Sequence, residues 1–298
     1  MGKAELSWSK DGQVELSRSR ANQNTVLDKS YLDGATTSEI HTLCAKGALV
    51  PDILFVELVT TRAESRRKCF AKFPSGRNPV VMIPSIGALL RYEIDHQAAC
   101  TPLVDRRWKA RFQFNEGLAR EDYKFSEADL KIVGEIEREI KERVLLYQEA
   151  SRCVESWFPE IKDVRANGPR EPIDRAMAAV VKDHDRVRAI YGAIVRAMHD
   201  LVQDSSILRA QNFSPPAVNQ IGEAWAWFRN LQAQLLAALE FVRKNGADKL
   251  RVASKWTEHD LLDADYVTAG VLSGSLASRD QTVQRFFQLL CPSGILIS

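Results

Sequence analysis

At 298 residues the chain is long enough for one large domain, or one domain with a substantial insertion, and its 45% hydrophobic and 27% charged content is ordinary for a soluble globular protein. A net charge of +2 does not announce a nucleic-acid binder, so any contact with nucleic acid has to come from local clusters of Lys and Arg. Five widely spaced cysteines without a C-x-x-C pair argue against a disulfide framework or a zinc ribbon, and no signal-peptide core or run approaching the roughly 20 apolar residues of a membrane span is seen, which points to the cytoplasm.

Residues 1–21 are polar and weakly patterned, a lead-in within which "QVELS" suits a short strand. "NTVLD" (24–28) reads as a short buried strand bounded by polar residues. After "DGATT", Thr37 or Ser38 caps a short helix that Gly47 ends. "ALVP" is a second strand. Asp52 is the expected N-cap of the following helix, which carries Glu57 in its second turn and continues through Arg62, Arg66, Arg67, Lys68 and Lys72. Strand, helix, strand, helix is the rhythm of a parallel α/β sheet. The turn "PSGRNP" (74–79) then leads into the apolar "VVMIPSIGALL".

Between Phe125 and Asn245 three long stretches place apolar residues three and four apart with charges between, and "NGPREP" and "NFSPP" punctuate them. This pattern predicts three long amphipathic helices packed as a bundle. Shorter elements return near the C-terminus: "DLLDADYVTAGVLSG" is a compact helix, "SLAS" a strand, "RDQTVQRFFQLL" a helix and "GILIS" a last strand. The expected organisation is an α/β domain built from both chain ends, 22–104 and 253–298, interrupted by a helical insertion over 105–252.

Open parallel sheets form ligand sites beyond the carboxyl ends of their strands. Asp28 and Asp280 sit at such ends, Glu57 lies early in the helix after "ALVP", and Asp263 lies in the helix before "SLAS". Taken singly, Asp28 also suits a turn and Asp280 an N-cap. Brought together, such carboxylates repel one another unless a cation compensates, and hard oxygen ligands with open positions suit Mg²⁺ or Mn²⁺.

The series "VLDKSYL", "PDILFVEL", "DADYVTAGVLSGSLASRD" and "PSGILI" resembles, in order and spacing, the PIN domain family of nucleases over residues 22–100 and 256–298. The resemblance implies a PIN-like three-layer α/β/α fold with a central parallel sheet, here interrupted by a helical subdomain. It also implies a Mg²⁺- or Mn²⁺-dependent endonuclease cutting RNA or single-stranded nucleic acid, in the style of a toxin or anti-phage effector. The family's acidic ligands would map onto Asp28, Glu57, Asp263 and Asp280. Asp260 and Asp265 compete with Asp263 for the third place. Asp263 stands at the usual separation from Asp280, and Asp265 points about 200 degrees away from it on a helix. Ser30 and Ser278 beside the acids would bond carboxylate, water or phosphate, and Arg279, with Arg62 and Arg66, would meet substrate phosphates. Lys29 and Ser30 depart from the Thr-Asn that more often follows the first acid in the family. Lys29 either screens the acids or points out along the strand edge.

Other signals have two readings each. The basic run from Arg62 to Lys72, and "DRRWKARFQF" (105–114), where Arg106, Arg107, Lys109 and Arg111 interleave with Trp108, Phe112 and Phe114, suit single-stranded nucleic acid or a solvated face over core aromatics. Trp225, Trp227 and Phe228 suit a bundle core or a stacking platform. No H-E-x-x-H, G-x-S-x-G or P-loop pattern occurs. The competing functional class is a non-catalytic PIN-like scaffold whose insertion binds a regulatory protein or a second copy of the chain.

Overall fold

The computed structural model describes residues 24–76, 78–100, 103, 110–112, 114, 116–120, 122–166, 168–204, 214–250 and 257–298. The lead-in with its "QVELS" strand, and residues 105–109 of the aromatic-basic stretch, lie outside them.

The N-terminal part runs β1 (Thr25–Leu27), α1 (Lys29–Gly34), α2 (Thr37–Lys46), β2 (Ala48–Pro51), α3 (Asp52–Thr60), α4 (Ala63–Phe70), β3 (Val81–Ile83) and α5 (Ile86–His96). The helical middle follows as α6 (Glu127–Arg152), α7 (Val154–Trp157), α8 (Glu171–Lys182), α9 (His184–Asp204), α10 (Ala226–Asn245) and α11 (Ala247–Leu250). The chain closes with α12 (Thr257–Ser273), β4 (Ser275–Ala277), α13 (Gln281–Leu290) and β5 (Ile295–Ile297). The five strands form one all-parallel sheet in the order β3-β2-β1-β4-β5, and both chain ends contribute to it. The architecture is α/β, compatible with three layers. Central strands of such a sheet are covered on both faces, which is why "TVL" and "ALVP" are buried at every position rather than alternating.

Several local expectations are refined. Thr36, not Thr37 or Ser38, caps α2, through a capping box in which its Oγ1 accepts from the Glu39 N–H and Glu39 accepts from the Thr36 N–H. Gly47 ends that helix at φ 102°, a conformation that only glycine adopts without strain. Asp52 is not a cap. It is the first residue of α3, fully buried, and its carboxylate accepts the N–H groups of Arg111 and Phe112 at 3.0 and 3.4 Å, docking that segment onto the helix. The Glu57 helix stops at Thr60, and the basic run begins a separate helix, α4, after extended residues Thr61 and Arg62. Two of the three long helical stretches are likewise broken, at Cys153 and at Asp183.

The middle helices share the core of the sheet domain. One buried cluster runs from Val26 and Leu276 through Leu261 and Val267 to Leu236, Val180 and Tyr191. The pivot is α12, which packs against β1 and β4 on one side and against α10 and α6 on the other. Gly270 permits its close approach to the sheet, because a Cβ there would stand 3.0 Å from the Leu276 side chain. Among the described residues no helix is long and apolar enough to cross a membrane.

A candidate acidic site at the switch point of the sheet

The sheet order reverses at β1 and β4: from β1 the chain proceeds outward to β2, and from β4 outward to β5. Parallel sheets bind ligands in the crevice beyond the carboxyl ends of strands at such a point. Asp28 follows β1 directly, and Ser278, Arg279 and Asp280 follow β4. The Asp28 N–H donates to the Ala277 carbonyl at 3.0 Å, so the two strand ends are joined at the crevice itself.

Asp28 is 4% exposed and caps α1, its Oδ1 accepting from the Ser30 N–H at 3.3 Å. Its Oδ2 accepts from both the Ser30 and the Ser278 hydroxyls at 2.5 Å. The Ser30 Oγ in turn accepts the N–H groups of Arg279 and Asp280 at 3.0 and 3.1 Å. The two serines thus bond carboxylate and backbone and fix Asp28 against the β4 end. Burial pushes the Asp28 carboxyl above its ordinary range, the hydroxyls of Ser278 and Ser30 pull it back, and the charge of Asp280 adds to the rise.

Asp280 is the N-cap of α13, and the Thr282 and Val283 N–H groups both donate to its Oδ1, at 2.7 and 3.0 Å. The cap uses one oxygen, which leaves Oδ2 outside the capping bonds. Glu57 projects from the second turn of α3. The buried Tyr266 hydroxyl donates to its Oε2, and the Lys29 ammonium lies 3.9 Å from its Oε1. Burial raises the Glu57 carboxyl too, opposed by Tyr266 and Lys29 and reinforced by Asp28.

Asp263 completes the group from α12. Its carboxyl is pushed up to about 8, first by burial and then by the charges of Asp280, Asp28, Asp260 and Glu57. Asp263 therefore feels the other three sequence-predicted acids, although 17 to 252 residues of chain separate the four. Asp260, one turn earlier, is raised to about 7, again mainly by burial.

Asp265 belongs elsewhere, and its inclusion among the metal ligands is corrected. Two residues on from Asp263, it faces the helical middle, where Arg143 of α6 grips both its oxygens at 2.5 and 2.7 Å and the Asn230 amide donates to it at 3.3 Å. Arg66 is corrected as well: it is 8% exposed with its guanidinium 5.1 Å from the centre of the Phe125 ring, so it is not presented to a substrate. Arg62 is exposed at the start of α4. Arg279 is exposed, but its guanidinium donates to the Gly34 carbonyl at 2.5 Å and pairs with Glu39 at 3.3 Å, turned along α1.

The wider basic signals resolve mostly into structure. Lys72 donates to the Leu32 and Asp33 carbonyls at the end of α1, Lys68 pairs with Glu64, and Arg111 pairs with Glu139. Phe112 stacks on Phe55 with ring centres 4.2 Å apart, and Phe114 packs on Phe73. Phe228 is fully buried and the Trp227 indole donates to the Leu90 carbonyl, the core reading of that stretch. Of the two readings of Lys29 the structure favours the screening one, at Glu57, while the Tyr266 bond was missed in the sequence. The signal for it was present, since Tyr266 lies three residues beyond Asp263 and hence on the same helix face.

The donors are hard carboxylate oxygens, the ligand type that Mg²⁺ and Mn²⁺ take. Their spacing is open: among the described residues no three His, Cys, Asp or Glu side chains stand close enough together to hold a metal ion as they are. Comparison of the chain with protein-family models, with curated proteins and with solved structures finds no match in any of the three.

Proposed function

We propose that the protein is a PIN-like, Mg²⁺- or Mn²⁺-dependent endonuclease that hydrolyses phosphodiester bonds of RNA or single-stranded DNA. The observation that supports this reading is the grouping of Asp28, Glu57 and Asp280 around Asp263 near the sheet's switch point, each of the three raising the proton affinity of Asp263. Those four side chains would hold the cation, which when bound supplies Lewis acidity and an activated water at the scissile phosphate.

The chain's own residues have distinct tasks. Ser30 and Ser278 hold Asp28 in one orientation, and the α13 cap does the same for Asp280. Tyr266 fixes one oxygen of Glu57. Burial and the neighbouring acids favour the protonated form of Asp263 at neutral pH, so a cation held there would have to displace a proton, and its affinity would rise with pH up to about 8. Arg62, exposed at the start of α4, is the substrate-facing cation of this reading, whereas Arg279 is held along α1 by the Gly34 carbonyl and Glu39.

The open spacing of the acids favours a second reading, a non-catalytic PIN-like scaffold whose long helices bind a partner protein or a second copy. Cleavage of end-labelled RNA and single-stranded DNA in Mn²⁺ separates the two. The nuclease reading expects cutting by the wild type and a loss of at least about a hundredfold in Asp28→Asn and Asp280→Asn, the scale of removing an electrostatic contact to a transition state. Equal cutting by wild type and both variants would sink the assignment of the acids.

A further inference from the structure

Beside the acidic crevice lies a second charge cluster, of opposite sign. Glu240, near the end of α10, has a side chain only 6% exposed and is met by three cations. Arg243 donates to both its oxygens, Arg285 of α13 donates to Oε2 at 2.5 Å, and the Lys244 ammonium stands 3.4 Å from Oε1. Glu240 with Arg243 alone would be an ordinary pair on one helix, and Arg285 alone would clamp α13 onto α10. Together they gather three positive groups on one carboxylate, and like charges so close repel unless a further anion lies across them. Among the described residues no second carboxylate pairs with any of the three, whose side chains are 28% (Arg243), 42% (Arg285) and 54% (Lys244) exposed. Exposed Asp174 of α8 acts on Arg243 from beyond pairing distance, and Asp260 of α12, raised to about 7 mainly by burial, acts on Lys244. Neither cancels the excess at neutral pH.

We propose that Arg243, Lys244 and Arg285 form a phosphate-binding patch that receives the backbone of single-stranded nucleic acid alongside the crevice. The inference rests on the endonuclease reading for the identity of the polyanion, but the patch itself needs no metal. Two helices join it to the acids. Arg285 lies five residues beyond Asp280, the N-cap of α13, which is about 7.5 Å along the helix axis. Asp260, on which Lys244 and Glu240 act, lies one turn before Asp263 on α12. A strand held on the patch therefore passes the carboxylates. Guanidinium groups suit paired phosphate oxygens and the ammonium serves as a point charge, a combination that attracts backbone without reading sequence. The buried carboxylate holds both guanidinium groups in place before a strand arrives, which lowers the ordering cost of binding.

Fluorescence anisotropy of labelled oligo(U) and oligo(dT) with the full-length protein, in EDTA and over a series of NaCl concentrations, tests the patch. Lys244→Gln and Arg285→Gln should each weaken binding by about fivefold at low salt and make the dependence of log Kd on log [NaCl] shallower by about 0.7, the share of one phosphate contact on a single strand. Arg285→Lys, which keeps the charge, should stay within about twofold of wild type. Lys46→Gln is the control: Lys46 is exposed at the end of α2, before β2 begins and so at the far edge of the sheet, and its loss should change neither quantity. Thermal melting confirms that each variant is folded. Wild-type binding that both glutamine variants retain with an unchanged salt slope would overturn the patch and leave the nucleic-acid reading standing. No binding by the wild type at low salt would overturn the patch and the nucleic-acid substrate together.

Discussion

Asp263 is where the electrostatics of the site are most exposed to measurement. Its carboxyl titrates at about 8 in the folded chain against 3.8 in an ordinary setting, because burial and four neighbouring carboxylates disfavour the charge. A raised carboxylate contributes stability that is complete below the unfolded value and is lost as pH rises from about 4 through about 8. Asp263→Asn, which cannot ionise, should therefore be more stable than wild type by at least about 1 kcal/mol at pH 8.5 in EDTA, with the difference closing near pH 4. Chemical denaturation at the two pH values checks it; a constant difference would mean that Asp263 is not strained by its neighbours. At this scale the sequence was informative about Asp28, Glu57 and Asp280, whose positions at strand ends and in an early helical turn follow from local pattern. It could not separate Asp263 from Asp265 by residue type. The separation comes from Arg143, which is 122 residues away in the chain and claims one of the two.

Among the elements, α10 shows how the helical middle is attached. Its first N–H groups have no cap of their own kind, since Trp225 at the N-cap has no accepting side chain. Glu93 of α5 supplies the acceptor instead: fully buried, it takes the Ala226 N–H at 2.7 Å and the Trp227 N–H at 3.0 Å, and also the Cys100 N–H at 3.2 Å. An anion at a helix N-terminus is favoured by the helix dipole as well as by the bonds. Glu93→Ala leaves buried N–H groups unpaired and should cost about 2–4 kcal/mol, read as a shift in the urea midpoint; a cost under 0.5 kcal/mol would contradict the role. Helix periodicity made α6, α8, α9 and α10 legible, as did the glycine after α2. The breaks at Thr61, Cys153 and Asp183 were not, because apolar periodicity continues across a one-residue interruption. The Glu93 cap was not legible either, because its two partners are more than 130 residues away.

For the whole molecule, the sheet domain and the helical middle are parts of one packed body that meet on α12. The order of elements announced an α/β domain split around a helical stretch, yet it gave no sign that the two share a core; that depends on which faces of α12 are apolar, and nearly all of them are. The Arg143–Asp265 pair spans this junction, with both side chains largely buried. Arg143→Met leaves a carboxylate uncompensated in the core and should destabilise the protein by about 3–5 kcal/mol while leaving Mn²⁺ affinity of the folded protein within about twofold, because Asp265 is outside the acidic site. A large loss of Mn²⁺ affinity in a folded Arg143→Met protein would return Asp265 to the site. The central claim, that four distant carboxylates form one cation site at the β1–β4 crevice, is tested most directly by anomalous diffraction from crystals soaked in Mn²⁺. The account predicts an anomalous peak bounded by Asp28, Glu57, Asp263 and Asp280. A fully soaked crystal with no peak there, or with its peak at Asp265 or elsewhere, would contradict it.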